Sequence, residues 1–463
     1  NYFLCFSEGK RTSIMAQVIE SFLLRPKQML LNGGLSISTL LKSATYFFKT
    51  KKIKQMHNIP YSRQHITQED IQAVIKTLQS DWLTQGPTVG AFENEFAKYI
   101  GSKYAVTVSN GTAALHLAAL ALDLKAGQKV ITTPITFAAS SNCVHYCGAE
   151  TAFADIDPET ALLDIEKVRD LIETHPKGTF AGIIPVDFAG YPIDMEAFRN
   201  LADEHGLWII EDACHAPGGS FIDSKGVKQN CGNGAYADLG IFSFHPVKHI
   251  ACGEGGMITT NNRELYEKLL LLRMHGITKN QDLLFENHGG WYYEMQMLGY
   301  NYRLSDLNCA LGLSQLSRAK KGIERRLEIA KVYDEAFRFS SLEKIIPTED
   351  INHAYHLYVI QTSQRKALYQ YLKSVGIHAQ VHYIPVHLMP FYKNLGWQKG
   401  ILPHAEAYYE RCLSLPMYPS LLFSEQNFVI EQIKNFYHET SSNYPRTRWK
   451  QKNSKKEYSG VYG

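Results

Sequence analysis

One lysine in this sequence, Lys248, has neighbours that are unusual for a surface lysine. Lys248 lies between two histidines in the stretch "SFHPVKHIACGEGG", after Pro246 and before several glycines. A lysine amine attacks carbonyl groups only where its surroundings strip part of its hydration and keep the amine available. Pro246 stiffens the turn, and Gly253, Gly255 and Gly256 permit close backbone approach of a bound group. The pattern favours a nucleophile, although an ordinary surface lysine is the alternative.

Polar residues also follow two other apolar runs. Glu211 and Asp212 close the run "LWII", where a carboxylate costs free energy unless a cation or a protonated nitrogen pairs with it. The stretch "SNGT", from Ser109 to Thr112, opens a helical pattern whose free N–H groups and positive dipole end attract phosphate. For the two acids the alternative is a salt bridge, and for the stretch from Ser109 to Thr112 it is a plain helix cap.

Taken together, the three segments meet the needs of one cofactor. A phosphate cradle, an acid at a strand end and a lysine one strand later supply an anchor, a partner for a protonated pyridine nitrogen and a Schiff-base amine. These are the requirements of pyridoxal phosphate, so we expect pyridoxal 5'-phosphate as the cofactor. No metal is expected, because Cys143, His145 and Cys147 lack a second ligand pair at metal spacing.

The elements that must position these residues follow an α/β pattern. From about residue 103 to 260, strand-like runs alternate with amphipathic helices, which predicts a mostly parallel sheet covered on both faces. Ligands collect beyond the carboxyl ends of such strands. After Ser305 the pattern changes to one long helical stretch, and then to strands near "HLYVIQT" and "HAQVHYI". This predicts a smaller α+β domain.

Four parts of the chain are expected. Residues 1–57 end in a basic cluster and form an N-terminal extension outside the core, 58–305 form the large α/β domain, 306–439 the small C-terminal domain, and 440–463 a basic, disordered tail. The net charge of +3 over 463 residues argues against a broad nucleic-acid surface. No window reaches the length of a membrane span, and the scattered cysteines favour a reducing, cytoplasmic compartment.

The chain resembles the sugar-nucleotide aminotransferases of the DegT/DnrJ/EryC1/StrS family, within the fold-type I (aspartate aminotransferase-like) enzymes. The likeness covers about residues 59 to 433 and rests on "SNGTAALHLA", "TTPITFAAS", "EDACHA", "SFHPVKHI", "GYNYRLSD" and "AQVHYIPVH". Family members that remove water or oxygen from sugars replace the Schiff-base lysine with histidine. Because Lys248 is present here, the resemblance favours amino transfer.

The resemblance also implies roles for individual residues. Lys248 would form the Schiff base and carry the proton, Asp212 would pair with the pyridine nitrogen, and His215 would bond the ring oxygen. Further cofactor contacts would be Phe137 on the ring face, Thr112, Ala113 and Ser243 at the phosphate, and Asn301 from a neighbouring subunit. Thr84, Gln85, His382 and Tyr383 would contact the sugar nucleotide, although core packing suits Phe137 and structural roles suit the others.

The implied substrates are L-glutamate and a UDP-linked 4-keto-6-deoxy-N-acetylhexosamine, and the implied assembly is a homodimer. Within the family the motifs most resemble the pseudaminic acid pathway enzymes. Related enzymes that act on keto sugars of the legionaminic acid, bacillosamine or perosamine type are the alternative. A protein that binds the cofactor without catalysis belongs to another class, which the intact lysine, aspartate and phosphate loop argue against.

Overall fold

The chain alternates short apolar strands with helices through its first half and changes character after residue 305. The computed structural model describes residues 58–345, 347–348 and 350–442. The α-helices of this part are α1 (Gln68–Leu78), α2 (Pro87–Ile100), α3 (Gly111–Ala121), α4 (Ala139–Tyr146), α5 (Ile165–Glu173), α6 (Met195–His205), α7 (Arg263–Arg273), α8 (Asp306–Leu316), α9 (Ala319–Ala336), α10 (Arg365–Ser374), α11 (Pro390–Asn394), α12 (Pro403–Arg411) and α13 (Phe423–Ser442).

The strands of the same part are β1 (Ile59–Pro60), β2 (Tyr104–Val108), β3 (Lys129–Thr132), β4 (Glu150–Phe153), β5 (Phe180–Ile184), β6 (Trp208–Asp212), β7 (Ser220–Ile222), β8 (Lys228–Asn230), β9 (Leu239–Ser243), β10 (Gly256–Thr260), β11 (Ile277–Thr278), β12 (Glu294–Met295), β13 (Glu343–Lys344), β14 (Ile351–Asn352), β15 (Tyr358–Gln361), β16 (Ile377–His378) and β17 (Cys412–Leu415).

Among the described residues, seven strands form the main sheet in the order β2-β10-β9-β6-β5-β3-β4. The strand pairs from β9 to β4 are parallel, whereas β10 is antiparallel to both β2 and β9. The prediction of a mostly parallel sheet is therefore confirmed. The direction reverses at β10 because the loop that carries Lys248 joins β9 to β10 and turns the chain back beside the strand it has just left.

Strand β6 explains how an acid reaches the site. Ile209 and Ile210 are fully buried, and each such side chain contributes about 1.5–3 kcal/mol of burial free energy. The strand ends in Glu211 and Asp212, whose side chains point to opposite faces because successive strand residues alternate. The apolar run thus fixes two buried carboxyl groups on the two sides of one strand end.

Helix α3 aims its N-terminus at the carboxyl ends of the strands. It is buried along almost its whole length, since it packs on β9 and β10 on one side and on α4 and α7 on the other. This burial matches its composition, which consists mainly of alanine and leucine. The helix is therefore held as a rigid core element, and its first turn cannot move away from the sheet.

The second half of the chain forms an α+β region. A three-stranded antiparallel sheet, β13-β15-β17, packs with α10 and α13 around its own apolar core. The predicted α+β fold of this region is confirmed, whereas the boundary between residues 305 and 306 stays a prediction. The extension over 1–57 lies outside the described residues, as does the predicted tail beyond Ser442. Of the helices described, none combines the length and apolar character that crossing a bilayer requires.

Two predicted elements differ in the structure. The single long helix after Ser305 is two helices, because the chain turns at Ser317 and Arg318, where the Arg318 guanidinium bonds the carbonyl oxygen of His65 and the carboxylate of Asp70. The strand predicted in "HAQVHYI" is only the short β16. The rest of that segment follows an irregular path along a cavity wall.

Candidate active site

A cavity of about 930 Å³ opens at the carboxyl ends of the main strands. Its walls come from the segments that follow β2, β3, β6 and β9, as expected for ligand sites in this type of sheet. Most of the predicted site residues line it, and these are Thr112, Ala113, Phe137, Asp212, His215, Ser243, Lys248, His382 and Tyr383. The folded chain thus brings together segments that are far apart in sequence.

The N-terminus of α3 forms one end of the cavity. Asn110 caps the helix by accepting the N–H of Ala113 at 2.8 Å, which leaves the N–H groups of Gly111 and Thr112 to a bound anion. A Cβ atom added at Gly111 would lie 3.0 Å from the Cβ of Ser243, so the glycine keeps this end open. The geometry suits a phosphate group.

The glycine run after Lys248 brings two parts of the chain together. A Cβ atom at Gly256 would lie 2.5 Å from the carbonyl oxygen of Asn110, too close for any other residue. The sequence pattern predicts that these glycines admit a bound group. At Gly256 the group that approaches is the chain's own backbone, which holds β10 against the first turn of α3.

Asp212 is a buried, oriented hydrogen-bond acceptor. Its Oδ2 accepts the hydroxyl of Ser140 at 2.7 Å, and its Oδ1 accepts the N–H of Cys214 at 3.2 Å. The Thr136 and Ser140 hydroxyl oxygens lie 2.7 Å apart, and because Ser140 donates to Asp212, Thr136 donates to Ser140. The two donors fix the plane of the carboxylate, and its remaining lone pairs can accept from a protonated nitrogen in the cavity.

His215 is neutral, and its hydrogen bonds define its tautomer. Burial, assisted by the charge of Lys248, holds the pKa of His215 well below its usual range. Nδ1 accepts the N–H of Ala189 at 3.3 Å, so the ring proton resides on Nε2. Nε2 lies 3.2 Å from the hydroxyl oxygen of Tyr383. His215 therefore presents an N–H donor toward the cavity.

Lys248 lines the same cavity as the N-terminus of α3 and lies on the loop between β9 and β10. Its N–H donates to the carbonyl oxygen of His245 at 2.8 Å, which forms the turn that presents the side chain. Burial lowers the pKa of the Lys248 amine, and the charges of nearby Cys214 and Asp212 offset only part of this effect. More of the amine is therefore neutral near pH 7 than in a solvated lysine, as a nucleophile requires.

Two other predicted contacts, Phe137 and His382, differ in their surroundings. Phe137 is 63% exposed, so it is not part of the packed core, and its ring faces that of Tyr383 at 6.5 Å. His382 lines the cavity, but its Nδ1 is 2.8 Å from the Ser414 hydroxyl, and burial lowers its pKa to about 3. His382 is thus a bonded structural histidine that also forms part of the cavity wall.

Three predicted site residues lie outside this cavity. Thr84 forms an isolated bridge with Ser305, and Gln85 adopts a left-handed backbone with φ of 57° in the turn before α2. Asn301 pairs with Met274 in another isolated bridge. Within this chain, Thr84 and Gln85 thus have the structural role that is the alternative to substrate binding. A role for Asn301 in a neighbouring subunit does not require it to line its own chain's cavity.

Sequence reasoning missed several residues of the wall. Ser140 and His356 line the cavity together with Tyr61, and none of them was singled out. Ser140 had a usable signal, since it follows Phe137 by three residues in "ITFAAS" and three residues is nearly one helical turn. His356, whose ring lies 4.2 Å from that of His215, begins a run that predicts only a strand.

Replacing Ser140 with alanine removes the strongest partner of Asp212. We expect Ser140→Ala to lower the free energy of unfolding of the cofactor-free protein by about 1.5–3 kcal/mol, the usual value of a hydrogen bond to a charged group. Ser141→Ala is the matched control, because the Ser141 hydroxyl bonds only uncharged groups. It donates to the carbonyl of Ala138 and accepts the Tyr392 hydroxyl, which also has Oδ1 of Asn142 within 2.8 Å. Urea titration of both variants measures the difference, and equal losses would contradict the assigned hydrogen bond.

The site has one partner for each reactive part of pyridoxal phosphate. The N-terminus of α3 fits its phosphate, the Asp212 carboxylate fits its ring nitrogen, and the Lys248 amine fits its carbonyl carbon. Fold and site thus define a pyridoxal-phosphate-dependent enzyme of fold-type I. The model of the DegT/DnrJ/EryC1/StrS aminotransferase family matches residues 64–434. The chain belongs to this family and is a pyridoxal-phosphate-dependent sugar aminotransferase.

Individual relatives match over nearly their full lengths. The chain is 40% identical over 391 residues to the spore coat polysaccharide biosynthesis protein SpsC of Bacillus subtilis, covering 82% of this chain and 98% of the relative. It is 37% identical over 392 residues to UDP-4-amino-4,6-dideoxy-N-acetyl-beta-L-altrosamine transaminase of Campylobacter jejuni, covering 83% and 99%. The structure of Helicobacter pylori PseC, an aminotransferase involved in the biosynthesis of pseudoaminic acid, aligns with a TM-score of 0.75 at 29% identity, covering 82% and 100%.

Proposed function

We propose that this enzyme moves the amino group of L-glutamate to C4 of a UDP-4-keto-6-deoxy-N-acetylhexosamine. The product would be UDP-4-amino-4,6-dideoxy-N-acetyl-β-L-altrosamine, which corresponds to EC 2.6.1.92. The observation that carries amino transfer is the placement of Lys248, with its lowered pKa, on the cavity wall with Asp212 and the α3 cradle. The choice of sugar is supported by the 37% identical transaminase of that name.

Lys248, Asp212 and His215 have separate roles in this reaction. When bound, pyridoxal phosphate supplies a carbonyl carbon that takes up amino groups and a ring that accepts the electron pair of a broken C–H bond. Lys248 supplies, at Nζ, the base that moves a proton to and from carbon. Asp212 holds a proton on a ring nitrogen by its negative charge, and His215 donates Nε2–H to an oxygen.

The proposed reaction involves a second subunit and the sugar nucleotide as binding partners. A homodimer would let Asn301 reach the phosphate of the neighbouring subunit, and Thr84, Gln85, His382 and Tyr383 are proposed contacts of the sugar nucleotide. The cavity volume of about 930 Å³ lies at the upper end of ligand cavities, which leaves space for a substrate beside the cofactor. A cytoplasmic location accords with the free cysteines of the described residues.

A second candidate is the same chemistry on another keto-sugar nucleotide, of the legionaminic acid, bacillosamine or perosamine type. The 40% identical SpsC, named for spore coat polysaccharide biosynthesis, supports this alternative. A difference of three percentage points between the two relatives does not decide a substrate. The orientation of the sugar depends on a few polar contacts in the pocket.

A two-stage absorbance experiment separates the candidates. Enzyme loaded with pyridoxal phosphate is first treated with L-glutamate, which we expect to convert the cofactor to its aminated form. UDP-2-acetamido-2,6-dideoxy-β-L-arabino-hex-4-ulose is then expected to restore the original spectrum. If glutamate acts and this sugar does not, the substrate assignment is wrong and the other keto-sugar nucleotides follow. If glutamate changes nothing, the amino donor is wrong.

A further inference from the structure

A second group of buried acids lies on the face of β6 opposite the cavity. Asp187, Glu211 and Cys231 are all buried, and their side-chain ligand atoms lie within 4.8 Å of one another. Oδ1 of Asp187 accepts the N–H of Ile193 at 2.9 Å, and Oε1 of Glu211 accepts the N–H of Gly232 at 2.7 Å. Oδ2 of Asp187 has no hydrogen-bond partner among the described atoms. The site chemistry above uses none of these three side chains.

The charges of this group do not balance if both acids are ionised. Within the described part of the chain, neither carboxyl group forms a salt bridge, and the titratable groups facing them are Cys231, Asp212 and Cys214. Burial raises the pKa of Asp187 to about 7, that of Glu211 well above its usual range, and that of the Cys231 thiol likewise. Two buried carboxylates within 4.8 Å of each other, with no cation beside them, lower their free energy by sharing one proton.

The pair is connected to His215 through a turn that starts at Asp187. The N–H of Asp187 donates to the carbonyl oxygen of Asp212 at 3.1 Å, and its Oδ1 ties the far end of the turn at Ile193. Between these anchors Ala189 has a left-handed backbone with φ of 60°. That conformation directs the Ala189 N–H to Nδ1 of His215.

We propose that Asp187 and Glu211 hold a single proton between them, and that the pair is a positioning element for His215. The shared proton keeps the two acids together, the turn from Asp187 keeps its shape, and the proton of His215 stays on Nε2, the atom that faces the cavity. The pair acts through His215 and touches no reacting atom. A metal ion at this place would have to displace the shared proton.

The proton can be observed directly in the cofactor-free protein. At about pH 6, where solvated aspartate and glutamate side chains are ionised, the infrared spectrum of the wild type should retain a carbonyl band of a protonated, buried carboxyl group. Glu211→Gln should lose this band, because the amide donates the hydrogen bond and Asp187 is then ionised. Exposed Glu159→Gln is the control and should keep the band. Absence of the band in the wild type, or stoichiometric metal in the purified protein, would overturn the proposal.

The positioning role has its own readout in the nitrogen NMR signals of His215 in histidine-labelled apo protein. Because burial raises the pKa of both acids, the pair should lose its proton only as the pH rises above the ordinary carboxyl range. The two acids should then move apart and the His215 signals should shift. His215 itself does not titrate there, because its pKa lies well below the usual range. In Glu211→Gln the pair has no proton to lose, so only the pH dependence that other groups near His215 cause, such as Lys248 with its lowered pKa, should remain in the signals. Equal pH dependence of the His215 signals in the wild type and in Glu211→Gln would contradict the positioning role of the pair.

A third variant separates positioning from folding. Asp187→Asn keeps an acceptor for the N–H of Ile193 and a donor to Glu211, so the Nε2–H tautomer of His215 should survive. Asp187→Ala removes both, and His215 should become a mixture of tautomers. If Asp187→Ala folds and the tautomer is unchanged, the turn does not control His215. If Asp187→Ala does not fold, the comparison of wild type with Glu211→Gln still decides.

Discussion

Lys248→Ala is expected to abolish amino transfer and to remove the absorbance of cofactor bound through the lysine. The reason is that Lys248 lies on the cavity wall with its pKa lowered by burial, and the assigned chemistry uses Nζ as both nucleophile and base. Loss of general base catalysis alone costs about 10²–10⁴-fold in rate. Turnover with L-glutamate and the keto-sugar nucleotide, together with the spectrum after adding cofactor, measures the effect.

Two further variants distinguish a nucleophile from a mere positive charge. Lys248→Arg keeps the charge, but a guanidinium does not deprotonate in proteins, so this variant should lose as much activity as alanine. Lys228→Ala, at an exposed position on β8, is the matched control and should behave like the wild type. Substantial activity in Lys248→Arg would mean that Lys248 acts only through its charge, and the assignment of the nucleophile would fail.

The sequence predicted best those features that are encoded locally. Each apolar run of the α/β region became a strand, since a buried parallel strand requires continuous hydrophobic residues. Lys248 and Asp212, which both line the cavity, could be singled out because a polar group that follows such an apolar run is costly to bury without a partner. Gly206 ends α6 in the left-handed conformation, with φ of 68°, as its position just beyond the helix predicts.

Features that depend on contacts distant in sequence were not predictable in this way. The break between α8 and α9 follows from the bonds of Arg318 to a segment about 250 residues earlier. The "HAQVHYI" segment alternates like a strand, but it continues past β16 as cavity wall because His382 bonds Ser414. The pairing of Asp187 with Glu211 arises only when β5 and β6 lie side by side. Local patterns contain none of this information.

Asp212→Asn is expected to bind the cofactor but to lower kcat by at least about 100-fold, the usual cost of removing a preorganised electrostatic group. The α3 cradle is untouched by this change, so phosphate binding persists. An asparagine side chain is neutral and cannot stabilise a proton on the ring nitrogen. It also turns one carboxylate oxygen into an NH₂ donor, although both present partners, the Ser140 hydroxyl and the Cys214 N–H, are donors.

Steady-state kinetics and a cofactor titration together check this expectation. A kcat effect with little change in cofactor affinity is the signature of a group that acts on the bound ring rather than on its anchor. Asp170→Asn, on the exposed face of α5, is the matched control for loss of one carboxylate. A near-normal kcat in Asp212→Asn would mean that the ring nitrogen needs no negative partner. The buried carboxylate at the end of β6 would then serve only to hold Ser140 and Cys214 in place.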